Sequence, residues 1–335
     1  MNRRSYLAGI GGTGLALVAG CVGGENRADQ SITVAGGDQG SGVHGAATAI
    51  EGVASEELAD VTLTVQQTSG TQENQVLLSQ GQADVGLTTA FDYELAQNEE
   101  GYYADNPLEN NPSQGFDVIL AHIYMLAREG TGIETYDDLI DQNVWAYQSG
   151  SSFRIVVESA LEEIGLWDEI SVTDMPPDDV AGGLEEGRID AVAAAGASYQ
   201  SLVGWSSEVD ARVDMQLVDW DDDVADGIDA AIPGRHELVE PYGWENQNFD
   251  MSEVVSIPVH NHVYFTEAVS NDVAYDLTML AHENAEQLLD SFPGLLDLSE
   301  ADLLTGGILP EYPIHPGVAD AYEELGVWDD DWTTA

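Results

Sequence analysis

The sequence has no lysine, and its 335 residues include one cysteine, Cys21. An intrachain disulfide is therefore excluded. The eight basic residues are all arginines, at positions 3, 4, 27, 128, 154, 188, 212 and 235, against 62 acidic residues. The formal net charge is −54. Such a chain has no basic face for phosphates, which excludes nucleic-acid binding. Beyond the first 21 residues no apolar run reaches the roughly eighteen residues of a membrane span. The catalytic signatures are missing too. There is no G-x-S-x-G elbow and no cysteine nucleophile in the body of the chain, so no enzyme is expected and no catalytic residue is assigned.

The acids are spread along the chain, and 43% of the residues are hydrophobic. That composition suits a packed core under an acidic surface. The charge strains the compact state by self-repulsion in dilute buffer. Above about 1 M salt the screening length falls to roughly 3 Å and the strain is relieved. The surface therefore reads as adaptation to a salt-rich environment.

Residues 1–21 read as an export signal. Arg3 and Arg4 form a twin-arginine pair ahead of a short, glycine-bearing apolar run at residues 7–20. That run is too short to cross a hydrocarbon core of about 30 Å. Leu17-Val18-Ala19-Gly20-Cys21 resembles a lipobox, which makes Cys21 the lipidation site. A two-chain lipid anchors stably where one chain does not. Residues 22–30 are a polar, flexible tether. The expected location is extracytoplasmic, on the outer face of the cell membrane.

The body alternates β and α signals, which predicts parallel sheets covered by helices. Strands are expected at 32–35, 61–65, 84–88, 144–147, 170–173 and 189–194. Helices are expected at 43–54, 72–78, 154–164, 178–186, 271–291 and 318–325. Two long β runs, at 118–127 and 253–265, are the natural crossovers between two lobes. Solutes of such sheets lie at the C-terminal strand ends, beside helix N-termini.

Three loops carry small polar residues at such positions. Gly40-Ser41-Gly42-Val43-His44-Gly45 fits G-x-G-x-x-G, but the next strand ends Val65-Gln66-Gln67 and lacks the acid that holds a ribose. An anion-holding loop is the better reading. Thr68-Ser69-Gly70-Thr71-Gln72-Glu73-Asn74 opens a helix, with Thr71 as plain cap, ligand contact or both. Ser149-Gly150-Ser151-Ser152-Phe153-Arg154 is the third, in the other half of the chain. Arg154 there pairs either with a ligand carboxylate or with a surface acid. His260-Asn261-His262 puts two imidazoles on one strand face, and the sequence nearby supplies no further ligand set, so no metal is assigned. His315 reads as a turn residue. No cofactor is expected.

These segments resemble the TAXI-type solute receptors of TRAP transporters, the tripartite ATP-independent importers. The resemblance runs from Ile32 to Gly326. Its carriers are residues 32–45, ITVAGGDQGSGVHG, then TSGTQEN at 68–74 leading into Gly81-Gln82-Ala83-Asp84. Gly187-Arg188-Ile189-Asp190-Ala191 with Ala195-Gly196 follows. Ile314-His315-Pro316-Gly317 with Tyr322-Glu323-Glu324-Leu325-Gly326 completes the set. The chain departs from the family at Gly150-Ser151-Ser152-Phe153, at Thr89-Ala90-Phe91-Asp92 and at Ser198. The first two lie where ligand is expected, which leaves the solute open.

The resemblance implies an α/β, two-lobed, type II periplasmic-binding fold with a cleft between lobes. One lobe would hold residues 31–122 and 262–335, the other 123–261. It implies a receptor that captures a small organic acid, glutamate-like or another carboxylate, and passes it to a TRAP-type permease. A lipid-anchored sensor or adaptor without a transport partner is the alternative. Expected ligand-binding residues are Gly37, Ser41, Val43, His44, Thr68, Gly70, Thr71, Asn74, Thr89, Gly150, Ser151, Ser152, Arg154 and Gly196.

Overall fold

A computed structural model of the chain describes residues 30–39, 41–149, 151–232 and 236–335. The expected export signal, Cys21 and the tether through residue 29 lie outside the described residues, as do Gly40, Gly150 and Arg235. Gln30, read as the end of the tether, opens the first strand.

Alternation of apolar and polar residues builds the first sheet. β1 (Gln30–Ala35), β2 (Val61–Gln66) and β3 (Val85–Thr89) run parallel in the order β2-β1-β3. Ile32, Val34, Val61 and Leu63 share one core with α1 (Gly42–Glu57). α1 buries Ala46, Ala47, Ile50, Val53 and Ala54, the three-and-four spacing of an amphipathic stripe. Ser41 caps it, its Oγ accepting from His44 N–H at 3.2 Å. A smaller apolar cluster gathers Ala35 with Leu77 and Leu78 of α2 (Thr71–Ser79), Tyr93 of α3 (Ala90–Gln97) and Tyr264.

The first crossover, β4 (Ser113–Arg128), starts earlier than its apolar run suggests. Gln114 and Asp117 hide that start in the sequence, because buried polar residues are tolerated only when bonded. Gln114 is fully bonded. Its Nε2 donates to the carbonyls of Leu309 and Tyr312, and its Oε1 accepts from Leu309 N–H, all within 2.9 Å.

The second lobe repeats the pattern. β5 (Asn143–Trp145), α4 (Ser152–Glu163), β6 (Ser171–Val172), α5 (Val180–Glu185) and β7 (Ala191–Ala197) form its parallel part. Then come β8 (Ser201–Leu202), α6 (Gly204–Arg212), β9 (Met215–Leu217), α7 (Asp222–Ala231) and β10 (Glu237–Val239). The helix expected at 178–186 is shorter, because Pro177–Asp179 forms a 3-10 turn ahead of it.

β11 (Val254–Phe265) returns to the first lobe, antiparallel to both β3 and β4. Each crossover changes core along its length. Phe116, Val118 and Leu120 pack in the first core, and Ile123, Tyr124 and Met125 in the second. Val254, Ile257 and Val259 belong to the second core, Val263 and Phe265 to the first. The sheet order β2-β1-β3-β11-β4-β7-β5-β6 is thus that of a two-lobed, type II α/β fold.

α8 (Asn271–Glu283), α9 (Ala285–Ser291) and α10 (Pro316–Leu325) close the first lobe. The single helix expected at 271–291 breaks at Asn284. The Asn284 side chain donates to Leu280 O at 3.1 Å, a local bond that competes with the backbone ladder.

Candidate functional site

The register fixes where the lobes meet. β3 runs in the direction of β4 and ends at Thr89, opposite Asn261, which pairs with Ile119. β7 runs against β4 and ends at Ala197, opposite Ala121. The parallel strands of both lobes therefore point their C-terminal ends at residues 119–121. Loops that follow such ends, with helix N-termini behind them, make the crevice of α/β sheets.

Gly37, φ +80°, turns the first loop toward α1, and its carbonyl accepts from Thr68 N–H at 3.0 Å, tying the first two loops together. Val43 and His44 lie half-buried on the first turn of α1, and His44 Nδ1 is buried without a partner. In the second loop Gly70 adopts φ 142°, ψ −169°, a conformation open to glycine almost alone. Thr68 Oγ donates to Asn74 Oδ1 at 2.5 Å, and Asn74 Nδ2 donates to Leu87 O at 2.7 Å. Both side chains are buried, so they lock the loop to β3. Ser69 N–H donates to the Glu73 carboxylate at 2.5 Å, and this bond holds the Glu73 pKa below its usual value.

Thr89 caps α3, accepting from Asp92 N–H at 3.0 Å. Asp92 is wholly enclosed, and burial pushes its pKa up to about 6, while the Thr88 hydroxyl, donating to Oδ2 at 3.2 Å, opposes the shift. Thr71 is buried at the start of α2, and Asp92 Oδ1 has no hydrogen-bond partner.

In the second lobe Ser149 grips Asp174, donating from both N–H and Oγ, the latter at 2.6 Å. Ser151 sits at the N-cap of α4 with no side-chain capping bond, and Ser152 is buried beside it. Gly150 is outside the described residues. Arg154 donates to Tyr147 O at 3.0 Å, lies 3.4 Å from Glu158 and covers the Trp167 ring at 4.7 Å. Its guanidinium is engaged within its own lobe. Gly196 of β7 lies against Tyr242, whose ring a Cβ would meet at 2.6 Å.

One further group escaped the sequence. Ser198 and Tyr199 both take left-handed φ, 53° and 60°, just past the end of β7. Such strain gathers at functional sites. Tyr199 is exposed, and its hydroxyl donates to Glu237 at 2.9 Å. Glu237 also lies 3.0 Å from Nε2 of the buried His122, whose Nδ1 is 2.8 Å from the Tyr242 hydroxyl. The His122 bond keeps the Glu237 pKa low. Only the cross-strand neighbourhood of His122 and Gly196 brings this set together, and no local motif encodes it.

The described arginines near the lobes all face acids. Arg128 pairs with Asp190, Arg188 with Glu186, and Arg212 with Glu185 and Glu208. Among the described residues no helix is long and apolar enough to cross a membrane.

No curated protein sequence matches the chain. Among solved structures, the aliphatic sulphonate binding protein SsuA from Escherichia coli is 14% identical, with a TM-score of 0.46 over 90% of this chain and 95% of that one. A TctC solute binding protein from Polaromonas is 11% identical, with a TM-score of 0.48 over 79% and 89%. A putative L-cystine ABC transporter from Listeria monocytogenes is 12% identical, with a TM-score of 0.46 over 84% and 99%. Over residues 35–326 the chain belongs to the NMT1-like family.

Proposed function

We propose that the protein is an extracytoplasmic solute receptor that captures a small organic acid between its lobes and delivers it to a TRAP-type permease. The observation that carries this reading is the convergence of strand ends from both lobes on residues 119–121. A ligand lodged there touches both lobes at once, so binding favours closure about the two crossover strands. The receptor performs no chemistry on its ligand. Cys21 would tether it to the membrane, with residues 22–29 as slack.

The loops at residues 37–44, 68–74 and 149–154 would line the cleft. Their roles divide by what each side chain is already doing. Thr68, Asn74 and Arg154 are bonded within the protein and would hold the loops in place. Ser41, His44 and Ser151 keep capacity to spare and would contact the carboxylate, together with N–H groups at the starts of α1, α2 and α4. Thr71 would face the ligand from the first turn of α2.

Titration calorimetry in multimolar KCl tests this division. With the cognate acid, the double substitution His44→Ala, Ser151→Ala should weaken binding at least tenfold and leave thermal stability near wild type. Arg154→Ala should mainly lower stability. Equal affinity in wild type and the double variant would remove these loops from the site.

A further inference from the structure

The geometry points to a metal site where the two crossover strands pass each other, with Asp117, His260 and His262 as ligands to one divalent ion of the zinc class. Asp117 of β4 lies directly opposite His262 of β11. His260 sits two residues before it, and its Nδ1 is 2.5 Å from Asp117 Oδ2. His262 Nε2 is 3.9 Å from Asp117 Oδ1. The three donor atoms lie within 4.8 Å of one another. Donors around a tetrahedral ion bound at about 2.0–2.2 Å sit about 3.3–3.6 Å apart, so binding would open the short Asp117–His260 contact and draw the widest pair together.

His262 supplies the independent sign. It is completely buried, yet neither ring nitrogen makes a hydrogen bond. A neutral imidazole in that position leaves both a donor and an acceptor unanswered, a costly arrangement in a protein interior. A metal on one nitrogen answers the acceptor. Asp117 is already oriented for the task, since its Oδ1 accepts from Val118 N–H at 2.9 Å.

Room for the ion comes from two glycines. A Cβ on Gly306 would lie 3.3 Å from Asp117 Oδ2 and 3.1 Å from His260. One on Gly307 would lie 2.5 Å from His262 Nε2. Any side chain at either position would fill the space between the ligands. Nitrogen and oxygen donors in this mixture favour zinc and its first-row neighbours over calcium or magnesium. Three protein ligands leave a coordination position for water.

The probe is zinc itself, added to full-length protein stripped with chelator in multimolar KCl. One ion per chain should bind, and X-ray absorption at the zinc edge should show two imidazole ligands. His260→Ala, at a partly exposed position, and His262→Ala should each weaken that binding at least tenfold. Zinc with only oxygen neighbours would mean that surface carboxylates hold it, and the proposal would fail. It would fail equally if both variants bound zinc like wild type, or if the wild type bound none.

Discussion

Asp92 shows how one residue of the candidate cleft ties into stability. Burial raises its pKa from 3.8 to about 6. Between those values the folded state holds a proton that the unfolded chain has released. This carboxyl therefore favours folding most below about pH 4, and that contribution is lost as pH rises through about 6. The loss amounts to roughly 3 kcal/mol at about 1.36 kcal/mol per unit. Asp92→Asn mimics the protonated acid and should be more stable than wild type near pH 7 and about equal to it near pH 4. Denaturant unfolding at both pH values, in the same salt, checks this. A gap that does not change with pH would count against the buried-acid account. The Thr68–Asn74–Leu87 relay gives a second check. Asn74→Ala leaves the buried Thr68 hydroxyl with only long contacts to Gly70 and takes a donor from Leu87 O, and should cost about 1–3 kcal/mol. The sequence pointed to residues 68–74 through their small polar character, but whether a side chain there faced ligand or protein depended on β3, which the motif does not contain.

Glycines set how closely the elements approach. A Cβ on Gly317 would fall 2.0 Å from the carbonyl oxygen of Asn271, so α10 meets α8 backbone to backbone. His315 braces the same corner, its Nδ1 accepting from Gly317 N–H at 3.2 Å while its Nε2 lies 3.2 Å from Val269 O. The histidine of the Ile-His-Pro-Gly motif is thus a turn residue, as its setting between two prolines suggested. Gly317→Ala should force α10 off α8 and cost about 1–3 kcal/mol, read from the denaturation midpoint. A midpoint like that of wild type would show that the corner has slack. Helix stops were legible where a glycine marked them, as at Gly326, but Thr71, read as a possible cap, lies inside α2 behind Gly70, and no side chain caps that start. α8 and α9 were read as one helix because Asn284 is compatible with either course until its side chain bonds Leu280 O. The short strands β8, β9 and β10 carry too few residues for a period and exist through pairing with β7, β4 and β11.

The whole molecule carries a formal charge of −54. Salt above about 1 M screens neighbouring carboxylates that repel in dilute buffer. Thermal unfolding should therefore move to markedly higher temperature between about 0.1 M and multimolar KCl. A transition indifferent to salt would contradict the reading of the acidic surface. Alternating β and α signals and two long apolar runs made the two-lobed α/β class legible. The meeting point of strand ends at residues 119–121 was not, because it depends on pairings between segments far apart in the chain. The same holds for Asp117 beside His260, and for Glu237 between His122 and Tyr199.

As a receptor, the protein should capture a small carboxylate in its cleft. Thermal unfolding in multimolar KCl, run against a panel of amino acids and mono- and dicarboxylates, tests it most directly. A ligand that binds only the folded state at a hundred times its dissociation constant adds about 2.7 kcal/mol of stability. One class of organic acid should raise the transition clearly, in proportion to the logarithm of its concentration. A folded, ligand-free protein whose transition no acid moves would contradict the receptor assignment.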